Sequence, residues 1–253
     1  MPIYPVGVGA KAKLHRADFH IKQLNAQVQD RRYQAGPVAF RVDYENQQLV
    51  LFTRPDLIGL KWSVTAGEAI HQSRSALDHI VWDLILANGG TPKEGDSGFP
   101  VFWEEGKYET GADRMIDGIS EQARAIIGAL QPFRADYRAD PLYVLNEMWK
   151  REKHRLPNIA SLAVHALQVS FALPDGIRRI MINLPEGPLP QNAEIERRDL
   201  GFHLAPEVPV RGDVAVSRQF VDGPADGRSF PGFLSELHGL SEGIVDSLID
   251  TAS

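Results

Sequence analysis

The sequence has no cysteine. Disulfides, thiolate metal sites and a cysteine nucleophile are therefore excluded. No apolar run approaches the ~18 residues that cross a bilayer. The first residues, MPIYPVGVGAKAK, lack the charged-then-apolar layout of a secretory leader, so the expectation is a cytoplasmic chain with no membrane partner. Positive charge is also scarce: 27 Lys and Arg against 33 Asp and Glu give a net charge of −6. A mainly electrostatic nucleic-acid binder would carry a basic domain, although a local basic groove is still compatible with this balance. The pairs Arg31-Arg32, Arg178-Arg179 and Arg197-Arg198 read as solvated faces. No H-E-x-x-H, G-x-S-x-G or G-x-x-x-x-G-K-[ST] motif occurs, and GVGAKAK at Gly7 has no strand before it to make a nucleotide loop. The chain shows no internal repeat and no low-complexity segment.

What remains is an ordinary globular composition, 43% hydrophobic and 24% charged over 253 residues. Residues 11–35 carry a loose helical stripe of Leu14, Phe19, Ile21, Leu24 and Val28, ended by Gly36-Pro37. VAFRVDY and QLVLFT, separated by ENQQ, predict a hairpin with Phe40, Val42 and Tyr44 on one side. Residues 57–88 form the longest helical candidate. NGGTPKEGDSG is a loop by composition, FPVF an extended piece, residues 112–130 a further helix, and residues 141–155 another that starts on a well-placed proline. After Pro157 short alternating runs read as strands: Leu167 to Leu173, Ile180 to Leu184, and Val214 to Phe220. Phe233, Leu237, Leu240, Ile244 and Leu248 mark a final helix. Helices and strands are segregated, which predicts an α+β fold: a central helical bundle, an N-terminal hairpin, a C-terminal β-rich section and a last helix. One domain over 1–253 is expected, with a sub-boundary near 157 as the alternative, because neither β section alone has enough strands for its own core.

Two helices carry charge at core-facing angles. Around HQSRSALDHIVWDLI, residues 71–85, the preceding Ile70 shares one arc with Leu77, Ile80, Val81 and Leu84. His71, Arg74 and Asp78 form a polar strip beside it, and His79 points about 140° from Arg74. In PLYVLNEMWKREKHRL, Leu142, Leu145, Met148, Trp149 and Leu156 form the apolar arc, with Glu152 inside it, Lys153 at its rim, and Glu147 and His154 on a flank. If the faces meet, reciprocal pairing of Arg74 with Glu152 and of Lys153 with Asp78 keeps the interface neutral. The expectation is a polar cavity built from His71, Arg74, Asp78, Glu147, Lys153 and His154. Two readings of it stand side by side, a functional site and a structural polar core with an ordinary i,i+4 Arg74–Asp78 pair.

GEAIHQSRSALDHIVWDLI, FPVF, LQPF and DPLYVLNEMWKREKHRL together resemble a widespread bacterial family of uncharacterised proteins with an R-S-A-L-D-H helix, an F-P segment and a K-H-R helix. The likeness covers roughly residues 60–160, matches Arg74, Asp78, His79, Lys153, His154 and Arg155, and implies no activity. Arg74-x4-His79 is also similar to the signature of HEPN domains, helical bundles that include metal-independent ribonucleases. That resemblance implies RNA as substrate, with Arg74 stabilising charge on the scissile phosphate and His79 acting as acid or base. It departs from the pattern at Ser75, where a larger polar residue is usual, and the two side chains diverge on a straight helix unless a second subunit, in a homodimer, supplies the facing wall. A metal-dependent helix-bundle enzyme is the competing reading. Glu68-x-x-His71 has the spacing of a carboxylate-bridged site for one or two divalent ions, and Glu147, His154, His15 and Asp18 could complete it, although such bundles normally carry two of these motifs. The third reading is a small-molecule-binding or interaction protein without catalysis, its pocket near Trp62, Trp82, Trp103 and Trp149.

Overall fold

The computed structural model describes residues 4–29, 38–53, 57–154, 159–183, 193–220 and 223–252. The fold is α+β, as its patterning predicts. In chain order, helix α1 (Val8–Gln29) leads to a hairpin of β1 (Val38–Asp43) and β2 (Gln48–Thr53), then α2 (Leu57–Ala87), α3 (Glu105–Met115), α4 (Glu121–Ala129) and α5 (Pro141–Glu152). Four strands follow, β3 (Ile159–Leu173), β4 (Gly176–Asn183), β5 (Glu194–Asp199) and β6 (Val210–Phe220), before α6 (Gly232–Ile249).

Helix α2 is the hub of the helical part. Trp62, Ala66, Ala69, Ile70, Ala76, Leu77, Ile80, Val81, Leu84 and Ile85 are all buried, so apolar residues cover most of its circumference, as a central core helix requires. The three alanines let neighbouring backbones approach, and α1, α5 and α6 pack around it. On α1 the buried residues Ala10, Leu14, Ala17, Ile21 and Leu24 recur at helical spacing. Phe19 does not belong to that stripe: it is half-exposed, with the Arg16 guanidinium 5.1 Å from its ring. The start of α1 is tied to α2 by Gly7 N–H donating to Asp83 Oδ2 at 2.9 Å.

The helix expected over 112–130 is two helices. Gly118 sits at φ +93 between α3 and α4, a conformation that favours glycine and ends a helix. Ser120 then caps α4, its Oγ accepting from Ala123 N–H at 3.2 Å. The polar stretch 105–111 reads as surface by composition, yet it extends α3 upstream of the expected start. Strand β5 is also additional: EIERRD is mostly charged, because only one of its faces meets a core.

The strands form two antiparallel three-stranded sheets, ordered β1-β2-β5 and β4-β3-β6. Strand β2 is central in the first, with Val38 opposite Thr53 and Gln48 opposite Asp199. Leu49 and Leu51 of β2 share one apolar cluster with Leu167, Val169 and Phe171 of β3 and Ile182 of β4, so the sheets face each other across a small core. The approach is close enough that a Cβ at Gly212 would overlap the Phe40 ring. Phe40, Val42 and Tyr44 lie on this side, as their alternation predicts. The hairpin therefore finds its third strand beyond residue 157. The residues around Pro157, Gly36-Pro37, Arg31-Arg32 and Arg155 lie outside the described residues.

Candidate functional site

The sequence places α2 and α5 face to face, and the structure brings them into contact through Arg74. Its side chain is almost fully buried, with 4% of its surface accessible. Burying an unpaired guanidinium is costly, and here three groups surround it. Nε–H donates to Asn146 Oδ1 at 3.1 Å, Nη1–H to Asp78 Oδ1 at 2.6 Å, and Nη2–H to the Phe99 carbonyl at 2.8 Å. The Trp149 ring centroid lies 5.0 Å from the guanidinium carbon. Asp78 Oδ1 also accepts from Phe99 N–H at 2.9 Å. Both backbone groups of Phe99 are thus held by one ion pair, and the FPVF segment is pinned against the helices. Gly98 permits this: a Cβ there would lie 2.9 Å from Asp78 Oδ1.

Beside this clamp lies a cavity of about 390 Å³. Arg74, Asp78 and Asn146 supply its polar wall. Phe99, Val101, Phe102, Met115 and Trp149 supply its apolar walls, and Asp96, Ser97 and Lys150 also line it. Lys150 pairs with Glu147 at 2.7 Å, and Asp96 with Arg114 at 3.5 Å. The charges at the cavity are therefore matched within the protein.

Of the six residues expected to build the cavity, Arg74 and Asp78 line it. The reciprocal pairing across the helices is not the one adopted. Arg74 takes Asp78 from its own helix because Asp78 can hold Phe99 at the same time. Glu152 instead stands 4.0 Å from His71 Nδ1. Lys153 caps the Trp149 ring, its Nζ 3.3 Å from the centroid, and His154 is exposed just past the end of α5. Glu147 is engaged by Lys150 on the flank. His79 is exposed on the far side of α2, where its Nδ1 would lie 3.1 Å from a Cβ at Gly9 of α1. Arg74 and His79 thus face different neighbours, and within one chain they do not converge on a common point.

The residues of the metal reading are also apart. Glu68 Oε2 lies 3.3 Å from His20 Nδ1, on the α1 side of α2, whereas His71 turns to α5. Among the described residues no three His, Asp or Glu side chains cluster so as to hold a metal ion. Of the four tryptophans, Trp149 lines the cavity. Trp62 is core and donates to Gln27 Oε1, Trp82 donates to the Ser97 carbonyl, and Trp103 lies near the surface between Lys107 and Lys150.

Asn146 was missed at the level of sequence, although a signal exists. It stands four residues after Leu142 and three before Trp149, inside the apolar arc of α5, and a buried amide there needs a partner. Phe99 could not be found this way, because its contribution is backbone. The chain matches no protein-family model, and comparison with curated proteins and with solved structures finds no significant match. Among the described residues no helix is long and apolar enough to cross a membrane.

Proposed function

We propose that this protein binds a small polar organic molecule in the cavity between α2, α5 and the 95–102 segment. The observation that carries this reading is a buried polar wall, Arg74 and Asn146 each 4% exposed, opening onto a cavity of about 390 Å³ with aromatic and aliphatic sides. Small-molecule sites are concave, roughly 300–1,000 Å³, mostly apolar, and orient the ligand with a few fixed polar groups. The clamp supplies rigidity as well, since Arg74, Asp78 and Phe99 hold one another. Cleavage of a phosphodiester would require Arg74 and His79 at one phosphate, and their separate neighbours favour binding over that chemistry.

A thermal-shift screen of polar metabolites tests the reading, with Met115→Trp as the comparison, because the larger side chain fills the cavity from its apolar side. Ligands should raise the melting temperature of the native protein and not of the filled variant. Shifts that persist in the filled variant would sink the cavity as the site. Metal-free RNA cleavage that disappears in both Arg74→Ala and His79→Ala would instead restore the ribonuclease expectation.

A further inference from the structure

Two unpaired polar atoms of the cavity wall, Asn146 Nδ2 and Asp78 Oδ2, define the kind of ligand it takes, an inference that rests on the binding reading above; among the described residues Trp149 Nε1–H is unpaired as well but sealed from solvent. Asn146 Oδ1 accepts from Arg74 Nε, which fixes the nitrogen end of that amide. Among the described residues nothing accepts from Asn146 Nδ2, yet this nitrogen is not sealed from solvent. In a residue only 4% exposed, the opening available to it is the cavity that the residue lines. Asp78 is arranged in the same way. Its Oδ1 is taken by Arg74 and Phe99, while among the described residues nothing donates to its Oδ2. One guanidinium grips both side chains through different nitrogens, so a two-hydrogen donor and a carboxylate acceptor both belong to the wall of one cavity.

The charge balance narrows the ligand further. Arg74 is already neutralised by Asp78, and Lys150 by Glu147, so the wall does not call for a phosphate or a carboxylate. It calls for a neutral group that donates to Asp78 and accepts from Asn146. Such a group carries an N–H together with a carbonyl or ring nitrogen, and Phe102, Met115 and Trp149 line the cavity around the rest of the molecule. We infer that the ligand is a flat heterocycle carrying both a hydrogen-bond donor and an acceptor, the chemistry of a nucleobase, held by Asp78 Oδ2 and Asn146 Nδ2.

Isothermal titration with inosine, uridine and adenosine tests this, each against its methylated counterpart, 1-methylinosine, 3-methyluridine or N6,N6-dimethyladenosine, whose base N–H donor is blocked. At least one nucleoside should bind, and its methylated form should bind about tenfold or more weakly, since the blocked edge leaves Asp78 unsatisfied. Asn146→Asp keeps the oxygen that Arg74 uses and removes the amide donor, so it should weaken the same nucleoside by about tenfold or more. Equal binding of the methylated form, or an Asn146→Asp protein that binds as the native one does, overturns the inference. Should Asn146→Asp not fold, the methylated ligands alone decide it. If no nucleoside binds while other compounds occupy the cavity, the heterocycle inference fails and the binding reading stands; if no compound of any class binds, the binding reading itself fails.

Discussion

Arg74 shows how one side chain can be expensive and necessary together. Removing its charge from water costs several kcal/mol, which Asp78, Asn146 and the Phe99 carbonyl offset only because all three are in place. Truncation leaves a carboxylate and an amide without their partner, so Arg74→Ala should cost about 3–5 kcal/mol, read as a lower urea midpoint. Arg74→Lys should cost nearly as much, because an ammonium cannot serve three acceptors spread around a planar fork; near-native stability of the lysine variant would count against the clamp. His20 makes a different point. It is 4% exposed, and burial is the main reason its pKa falls below the usual 6.5, with Arg16 also lowering it and Glu68 acting the other way. Although Glu68 lies 3.3 Å away, no hydrogen bond reaches Nδ1, so the carboxylate attracts charge without satisfying the ring. The unfolded chain therefore takes up a proton first as pH falls through about 6.5, and stability drops from there toward the lower folded pKa. Melting curves at pH 7.5 and 5.5 should show this acid loss in the native protein, and a smaller loss in His20→Leu. Equal losses in the two proteins would place the acid sensitivity elsewhere.

At the scale of elements, legibility followed periodicity. Helix α2 was plain over its whole length, because apolar residues recur around it for eight turns without glycine or proline breaks strong enough to stop it. The hairpin was plain because its alternation and its turn agree. The division between α3 and α4 was hidden: Ile116, Ile119, Ala123 and Ile127 are all buried and keep the hydrophobic spacing of one helix, and only Gly118 and the Ser120 cap mark the break. Strand β5 was hidden for the opposite reason. It lies at the edge of its sheet, needs one inward residue, Ile195, and spends its remaining positions on charge. The candidate site was legible in the same measure. The helix faces announce that α2 and α5 meet, since Arg74 lies beside one apolar arc and Glu152 inside the other. Which charges pair across them depends on a third segment, the Gly98–Phe99 backbone, whose place no side-chain pattern records. This is why His71, Lys153 and His154 stand outside the cavity while Asn146 and Phe99 stand at it.

At the scale of the molecule, the decisive contacts cross residue 157. Strand β2 lies between β1 and β5, and its Leu49 and Leu51 are covered by residues of β3 and β4. In the helical core, Phe233, Leu234, Leu237, Ile244, Val245 and Leu248 of α6 are all buried with the residues of α2. A fragment ending at 157 would expose both sets. At ~1.5–3 kcal/mol for each large apolar side chain, the six residues of α6 alone contribute about as much as the ~5–15 kcal/mol that holds a typical domain together. Helix α5, which carries Asn146 and Trp149, would survive in sequence and lose the packed α2 that aligns it. The fragment 1–157 should therefore show no cooperative urea transition and no ligand-induced shift, whereas the full chain should unfold with helical and sheet signals moving together. A sharp transition in the fragment, or two separated transitions in the full chain, would show that the helical part stands by itself and that the sheets are an appendage to it. Coincident transitions would mean that the cavity depends on strands that do not touch it, through the hairpin that joins β5 and the last helix that returns to cover α2.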